Sequence, residues 1–492
     1  MKTQSLFPSA IALLFLSTLN AQLSTTFAQG SLTPPGAPAP TMKTLAQVEP
    51  RTPISSVSYT ISSPGSYYLT ATLTNTGVGI DAITINADDV TLDLKGFTLT
   101  GGPSAGSAIN VPSDHRHIVV RNGGIVKSGN PAVALFPAQS CEVEHLHIED
   151  SVGNAVVVGD HSVVIACTIS NAGYYGISTR SGCRVENCLI TASFSYGIWV
   201  ATGSTVSSCL VQGGSSSGIV TEDACLVKDC ISSGNAGNGV WAAFDNCTVK
   251  DCVSSGNAVD GIHGGHNCTL RACTLSGNAH NGITTGTNNL ILACSAANNG
   301  NAGIQFGDGT SIKDCTASGN VAEGIFGGLA ATVSGCMARA NGNDGIYVGV
   351  FSRVRNCTSL DNAQYGISTG FSSTVSDCAS KNNQSDGIFV PERSVVLNNT
   401  CDNNGGSGVH AFGSYTRIEG NKVTFNTQNG IKADTFGNFV IKNMATANGT
   451  NYNLAANNKV GVIVAAPVSA AISGSTGGAG VGSTDPWANF SY

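Results

Sequence analysis

Charged residues are scarce in this sequence, and so are aromatic residues and long apolar runs. Only 11% of the 492 residues are charged and 6% are aromatic, whereas about 25% of the residues in an ordinary globular chain are charged. A chain of this length would normally form two or three globular domains. So few large side chains cannot fill wide cores, so the composition favours a thin, repeated core in which each unit buries a few small residues.

The shortage of positive charge and of nucleotide-binding motifs excludes several functions. Lys and Arg total 23 against 30 Asp and Glu, a net charge of −7, which disfavours nucleic acid and anionic membrane surfaces as partners. The sequence contains no P-loop and no dinucleotide-binding fingerprint. We therefore predict no nucleic-acid partner and no cofactor.

The N-terminus has the features of a secretory signal peptide. A short apolar run from Ile11 to Leu19 follows Met1-Lys2 and precedes small residues up to Ala28. The run is too short to span a bilayer, and a retained membrane anchor is the alternative. We expect residues 1–28 to be a signal peptide and the mature chain to be secreted, periplasmic or extracellular, without a membrane span.

A Gly followed by Ile or Val recurs every 21 or 22 residues through most of the chain. These repeat glycines are Gly176, Gly197, Gly218, Gly239, Gly261, Gly282, Gly303, Gly324, Gly345, Gly366, Gly387, Gly408 and Gly430. A period of this size indicates a solenoid. Short alternating segments, without any helical i, i+3, i+4 stripe, predict three strands of three to four residues in each coil of about 21 residues.

Asn and Cys recur at fixed distances from the repeat glycines. An Asn lies four residues before most of them, and a Cys nine residues before, from Cys167 to Cys378, after which Asn399 and Asn421 take the Cys position. A second, partial column holds Cys183, Cys225, Cys247 and Cys268. Stacked coils would turn each position into a ladder.

Each ladder has a predicted role. The Asn side chains should satisfy backbone groups at a buried turn, and the repeat glycines should adopt a positive φ at a tight corner. We predict that the 17 cysteines are buried free thiols that pack as small apolar groups. Disulfides and a zinc site are the alternatives, and no His is spaced with the cysteines as a zinc ligand would be.

The repeat, together with the alternating strand VTLDLKGFTL at residues 90–99, resembles the pectate-lyase-like superfamily, and within it the uncharacterised bacterial secreted β-helix repeat proteins. The resemblance implies an all-β, single-stranded right-handed parallel β-helix (the pectin lyase fold, built of PbH1 repeats) over residues 57–460. Residues 29–56 would be a Pro/Ala-rich lead-in or linker. Residues 461–492 would be a Gly/Ser-rich tail with an aromatic C-terminal cap.

The resemblance leaves the activity open, because the superfamily includes lyases, polygalacturonases, epimerases, tailspikes and adhesins. The catalytic signatures N-T-D, R-I-K, D-P-H and W-x-D-H are absent, and Asp88-Asp89 is a lone D-D before the regular repeat. Catalytic residues therefore stay unknown, and the sequence does not decide whether the protein is an enzyme.

The position after each Gly-Ile pair should face outward, because the Ile faces inward. Aromatic rings there could stack on sugar faces, or could pack on one another as cross-coil ladders. We take the following residues as candidate carbohydrate-binding residues, with no metal: Trp199, Trp241, His263, Phe326, Tyr347, Phe389 and His410.

Three further groups could carry chemistry, although a structural role without chemistry is the simpler interpretation of each. His263, His266 and His280 lie near Asp260 in the repeat, where a general base or a metal site would need them to converge. Glu323 and Asp344 precede the glycines of adjacent coils, and glycosidic cleavage needs such a carboxylate pair. A third group, with an H-x-H pattern, is His115, His117, His145 and His147.

Two hypotheses of function remain. The first is a secreted β-helix that binds, or is associated with, polysaccharide or a surface glycan, with weak lyase or hydrolase activity as a subcase. The second is a non-catalytic structural, surface or adhesion solenoid. Outward aromatic residues favour the first, and the missing catalytic signatures favour the second.

Overall fold

The structure is a computed structural model that describes residues 50–102, 104–129, 131–465, 472–474 and 485–492. Residues 51–492 form one compact unit. Regular structure in the described residues is entirely β, with about 19 turns of a parallel solenoid. No helix in the described part of the chain could cross a membrane. The predicted signal peptide and most of the predicted lead-in lie outside the described residues.

Each regular coil contributes three short parallel strands, which confirms the predicted fold class. In the coil of Gly176, the strands are Ile177–Thr179, Arg184–Glu186 and Leu189–Thr191. Each pairs in register with the equivalent strand one period later, so that Ile177 lies beside Ile198 and Val185 beside Val206. Successive coils therefore satisfy one another's backbone groups, as neighbouring strands do in any sheet.

The first strands of the coils form one parallel sheet, called the Gly-Ile sheet below. Its strands are Tyr59–Ile61, Ile83–Ile85, Ile109–Asn110, Val133–Leu135, Val156–Val158, Ile177–Thr179, Ile198–Val200, Ile219–Thr221, Val240–Ala242, Ile262–Gly264, Ile283–Thr285, Ile304–Phe306, Ile325–Gly327, Ile346–Val348, Ile367–Thr369, Ile388–Val390, Val409–Ala411, Asn429–Ala433, Thr450–Leu454 and Ile472–Gly474.

The second and third strands of each coil form the other two faces. The second strands are Thr52–Ile54, Gly65–Leu69, Val90–Asp93, Val163–Ile165, Arg184–Glu186, Thr205–Ser207, Leu226–Lys228, Thr248–Lys250, Thr269–Arg271, Leu290–Leu292, Ser311–Lys313, Thr332–Ser334, Arg353–Arg355, Thr374–Ser376, Val395–Leu397, Arg417–Glu419, Phe439–Ile441 and Lys459–Val460. The third strands are Leu73–Thr74, Thr98–Thr100, Thr168–Ser170, Leu189–Thr191, Leu210–Gln212, Ile231–Ser233, Val253–Ser255, Thr274–Ser276, Ser295–Ala297, Thr316–Ser318, Met337–Arg339, Thr358–Leu360, Ala379–Lys381, Thr400–Asp402, Lys422–Thr424, Met444–Thr446, Ile463–Ala465 and Asn489–Ser491. Two longer strands span both faces, Val119–Val126 and Glu142–Glu149.

The repeat glycines are required by space and not by backbone conformation, so the predicted positive φ is wrong. None of them has a positive φ. A Cβ built on Gly282 would lie 2.6 Å from the carbonyl oxygen of Gly303 in the next coil and 2.8 Å from the Cβ of Ala296. Real Cβ atoms do not approach backbone that closely, so the regular coils stack at this spacing because Gly282 has no Cβ. The less regular first coils carry Ala108, Ala132 and Ala155 at the equivalent position.

Positive φ angles occur instead at three other corners of each regular coil, and at many of these corners the next residue has a side chain that accepts a hydrogen bond. Asn278 follows Gly277 (φ 62°), and its N–H and side-chain amide both donate to Oδ1 of Asn299 one coil later, at 3.1 and 3.0 Å. At another corner, the N–H of Cys294 donates to Sγ of Cys315 at 3.4 Å. The predicted Asn ladder is therefore present, and it has counterparts at other corners.

The Cys column is another ladder in which a side chain accepts the N–H of the equivalent residue one coil earlier. Further along its column, the N–H of Asn399 donates to Oδ1 of Asn421 at 2.9 Å, so Asn and Cys fill one slot because both are small and offer an acceptor. All 17 cysteines are buried and free in the structure, as the free-thiol prediction expects.

The chain remains in the stack close to its C-terminal end. Asn489–Ser491 pairs with Met444–Thr446 and with Ile463–Ala465, and Oδ1 of Asn489 accepts the N–H of Asn443 at 3.0 Å. Parallel pairing in the described residues thus runs from Thr52 to Ser491. The predicted limits of the β-helix at residues 57 and 460 stay predictions, as does the aromatic cap.

Candidate functional site

Two columns of residues, one on the outer side of the Gly-Ile sheet and one at its corner, define what we call the Gly-Ile face. Most of the corner residues are buried. The outer column holds the residues two positions after the repeat glycines: Ser178, Trp199, Val220, Trp241, His263, Thr284, Gln305, Phe326, Tyr347, Ser368, Phe389, His410 and Lys432. The corner column holds the residues just before those glycines: Tyr175, Tyr196, Ser217, Asn238, Asp260, Asn281, Ala302, Glu323, Asp344, Tyr365, Asp386, Ser407 and Asn429. All seven candidate carbohydrate-binding residues thus lie in one column.

Four aromatic rings cluster where the regular repeat begins. The ring of Tyr175 is stacked on that of Tyr196, with centroids 5.3 Å apart and planes 4° apart. It is also nearly parallel to the indole of Trp199, at 6.4 Å and 14°. Tyr196 meets Trp241 edge to face at 6.3 Å. Both Trp side chains are half-buried, so part of each indole stays available to solvent.

A second aromatic cluster lies further along the same face. Phe326 and Tyr347 are stacked with centroids 5.3 Å apart, and Tyr365 and Phe389 with centroids 4.9 Å apart. Such cross-coil ring pairs are themselves stabilising. The rings thus meet the geometry of both interpretations of the outer column, a sugar platform and a packing ladder.

Asp260 holds two of the three predicted histidines between the aromatic clusters. Its Oδ2 lies 3.0 Å from Nδ1 of His263, and its Oδ1 lies 2.6 Å from Nδ1 of His280 on the next coil. Burial by itself raises the pKa of Asp260, but hydrogen bonds from both imidazoles and from Thr284 and Asn281 outweigh it and lower the pKa. The carboxylate is therefore ionised and orients both rings through Nδ1.

The remaining predicted histidines do not join that cluster. Nδ1 of His266 lies 2.8 Å from the hydroxyl oxygen of Thr287, at the following turn. His115 and His117 pair with separate carboxylates, Asp88 and Asp89, at 2.9 and 3.0 Å. The H-x-H group thus forms separate pairs instead of one site.

His410 is buried between two carboxylates on either side of its coil. Its Nδ1 lies 2.8 Å from Oδ2 of Asp386, and its Nε2 lies 2.8 Å from Oδ2 of Asp434. Burial lowers the pKa of His410, but the two carboxylates dominate and raise it. Lys432 also pairs with Asp434 at 3.1 Å. Sequence reasoning missed Asp434, which lies in the turn after its strand, where the outer-column spacing gave no signal.

Glu323 and Asp344 occupy adjacent corner-column positions, as predicted from their spacing. Asp344 is buried, and its Oδ1 accepts the N–H of Tyr365 at 3.1 Å. Burial raises the pKa of Asp344 to about 6, with a further contribution from the negative charge of Glu323. The rings of Phe326 and Tyr347 stand three residues further along the same two coils. The pair thus combines a protonatable carboxyl group with a second carboxyl group beside an aromatic surface.

In the described residues, no group of three or more His, Cys, Asp or Glu side chains is arranged to hold a metal ion.

The architecture is that of a parallel β-helix, and the family follows from the sequence match. The model of the family described as the right handed beta helix region matches residues 75–211, 201–328 and 326–476. The chain therefore belongs to that family, in agreement with the predicted superfamily and handedness. No curated protein matches the sequence.

Solved structures with similarity to this chain include several β-helix enzymes. The A-module of mannuronan C-5 epimerase AlgE4 from Azotobacter vinelandii has 15% identity over 80% of this chain and 90% of its own, with a TM-score of 0.28. The catalytic domain of a GH87 alpha-1,3-glucanase has 11% identity over 79% and 70%, with a TM-score of 0.28. Pectate lyase Pel9A has 12% identity over 61% and 71%, with a TM-score of 0.25. Similarities this weak leave the function to be argued from the Gly-Ile face.

Proposed function

We propose that this protein is a secreted β-helix that binds polysaccharide along its Gly-Ile face. The observation that carries the proposal is the presence of half-buried rings in one outward column, at Trp199, Trp241, Phe326, Tyr347 and Phe389. An outward ring has no core to fill, and its free side offers an apolar surface for the apolar side of a sugar ring. His263 lies in the same column with its side chain 40% exposed and can supply a polar contact, whereas both ring nitrogens of His410 are engaged by Asp386 and Asp434.

The spacing of the coils supports an extended ligand. Neighbouring strands of a sheet lie roughly 4.8 Å apart, so side chains of one column recur at that interval along the solenoid axis. Two aromatic clusters with the polar group of Asp260 between them can therefore contact successive units of one chain. A rigid sheet also holds these side chains in place before binding, which lowers the entropic cost of association.

The test is affinity electrophoresis and pull-down of the mature protein against a panel of soluble and insoluble polysaccharides. The triple variant Trp199→Ala, Trp241→Ala, Tyr347→Ala should lose most of the binding. The matched control is Phe194→Ala with Phe425→Ala, because these rings are 71% and 61% exposed and lie outside the Gly-Ile face. Unchanged binding by the triple variant would sink the proposal and leave the rings as packing ladders.

A second candidate function is hydrolysis at Glu323 and Asp344, favoured by the raised pKa of Asp344. A carboxyl group with a pKa of about 6 can donate a proton near neutral pH, while a neighbouring carboxylate acts as base or nucleophile. The same samples would be assayed for new reducing ends. Activity that disappears in both Glu323→Gln and Asp344→Asn, with binding retained, would establish the reaction. Binding without products would leave a non-catalytic protein.

The alternative to both is a structural or adhesive solenoid without glycan affinity. It would be favoured if the folded protein retained no polysaccharide from the panel.

A further inference from the structure

An open pocket lies on the Gly-Ile face where the outer column changes from small to large side chains. The positions paired in register before Trp199 hold Val157 and Ser178, so the indole stands above its neighbours. The pocket beside it has a volume of about 240 Å³, and Phe136, Arg180 and Glu222, each two coils from the next, also line it.

The aromatic wall of this pocket is held in place. The indole of Trp199 is nearly parallel to the ring of Tyr175, at 6.4 Å, and Tyr175 is stacked in turn on Tyr196. Side chains that are fixed before a ligand arrives lose less conformational entropy on binding. Burial raises the pKa of Tyr175, so this supporting phenol stays neutral across the physiological range.

The polar groups of the pocket are one guanidinium and one carboxylate. The guanidinium carbon of Arg180 lies 4.5 Å from the ring centroid of Phe136, a cation–π contact that positions its planar fork of donors. No carboxylate in the described part of the chain lies within ion-pair distance of Arg180. Oε2 of Glu222 accepts the N–H and the hydroxyl of Thr202, at 3.3 and 3.2 Å. Donors and acceptors beside a ring suit the vicinal hydroxyl groups of a sugar.

The charge of the whole face opposes a polyanionic ligand. Carboxyl groups on the Gly-Ile face and its following turns outnumber the fixed cations there, which are Arg180, Arg393 and Lys432. The carboxyl groups include Glu222, Asp223, Asp245, Asp260, Asp308, Glu323, Asp344, Asp386, Glu392 and Asp434, and the chain as a whole carries −7. A polyuronate bears a negative charge on every sugar, so its charges would be repelled by the carboxylates along the Gly-Ile face.

We infer that the pocket beside Trp199 is a subsite for one uncharged hexopyranose unit, and that the polysaccharide is a neutral glycan and not a polyuronate. The indole stacks on the sugar ring, Arg180 donates to its hydroxyl oxygens, and Glu222 accepts from its hydroxyl groups. This inference rests on the proposed function and specifies its ligand class.

The experiment compares polymers that differ only in charge. Polygalacturonate and its carboxyl-reduced product share backbone and linkage, and polymannuronate and a β-mannan form a similar pair. Each is titrated into the full-length mature protein by calorimetry at low ionic strength, alongside neutral glucans. The variants are Trp199→Ala and Arg180→Gln. The control is Arg184→Gln, an exposed Arg on the second strand of the same coil, which pairs with Glu186.

We expect at least one neutral polymer to bind and its charged counterpart not to bind. Trp199→Ala and Arg180→Gln should each weaken binding about tenfold or more, as the loss of a central contact does, and Arg184→Gln should not. Tight binding of a polyuronate that Arg180→Gln abolishes would overturn the inference while leaving the proposed function intact. Failure of every polymer to bind the folded protein would overturn both.

Discussion

At the scale of single residues, the repeat glycines show how strongly one missing Cβ constrains this chain. Their period was the clearest signal in the sequence, yet the reason for it lies in the next coil. The corner of Gly282 is closed by the carbonyl oxygen of Gly303 at 2.6 Å from the position of a Cβ. Gly277, five residues earlier, has a φ of 62° and nothing within 4 Å of its Cβ position. These two glycines, at the end of one coil and the start of the next, are thus present for different reasons.

This contrast predicts a large loss of stability for a substitution at Gly282 and almost none for one at Gly277. Gly282→Ala should cost about 3 kcal/mol, the upper part of the usual cost of overpacking, because backbone has to move. Gly277→Asn should change stability by less than about 0.5 kcal/mol, because Asn298 already occupies the equivalent corner with a φ of 55°. Urea unfolding followed by circular dichroism measures both. Equal losses would show that space at the repeat glycine is not the constraint.

At the scale of strands and coils, His410 joins side chains from three successive coils into one charged group. Asp386 precedes it by one coil and Asp434 follows it by one coil, and each lies 2.8 Å from an imidazole nitrogen. Lys432 faces the group from the strand of Asp434, and Phe389 and Phe412 pack against the imidazole edge to face. A protonated ring can donate to both carboxylates, whereas a neutral ring can donate to only one of them.

The stability contributed by His410 should therefore depend on pH. Its pKa is raised in the folded state, so the contribution is complete below the ordinary His pKa of about 6.5. It is lost as the pH rises through the higher folded value. His410→Gln should cost about 3 kcal/mol near pH 6, as removal of one partner from a buried ion pair does, and clearly less at pH 9.

The measurement is urea unfolding of wild type and variant at both pH values. His147→Gln is the control, because that imidazole is 58% exposed and makes only a 4.0 Å contact with Glu149. A cost of His410→Gln that is the same at pH 6 and pH 9 would argue against a protonated ring between the two carboxylates.

At the scale of the whole molecule, stacked acceptor ladders and buried thiols run through the same narrow core. The cysteines are 0–3% exposed and free. Burial raises the pKa of the Cys225 thiol to about 11, which leaves little thiolate to react with oxidants near neutral pH. We expect burial of the side chains to keep the thiols free by excluding oxidants, even where disulfides are the usual form of cysteine.

Thiol titration tests whether the cysteines are free and protected by burial. The native protein, purified without reductant, should react negligibly with a thiol reagent over the time in which free cysteine reacts completely. After denaturation, still without reductant, all 17 cysteines should react. A smaller number after denaturation would mean that disulfides form in solution, and rapid reaction of the native protein would mean that the coils open.

The sequence by itself determined the architecture, because a solenoid repeats one local solution many times. The period of the glycines, the Asn and Cys columns and the alternation around Ile and Val were enough to predict three strands per coil and to place Trp199, Trp241 and Tyr347 in one outward column. Each of these features depends only on which residues occupy equivalent positions in neighbouring coils, and the period specifies that directly.

Only the tertiary structure decided which side chains meet across the coils. His263 and His280 share Asp260 while His266 turns to Thr287, and Asp434 reaches His410 from a turn that carries no repeat signal. The structure also shows that position 282 needs Gly because a Cβ there would collide with the next coil, and not because of its backbone conformation. These outcomes depend on rotamers and on distances of a few tenths of an ångström between coils, which no spacing along the chain can specify.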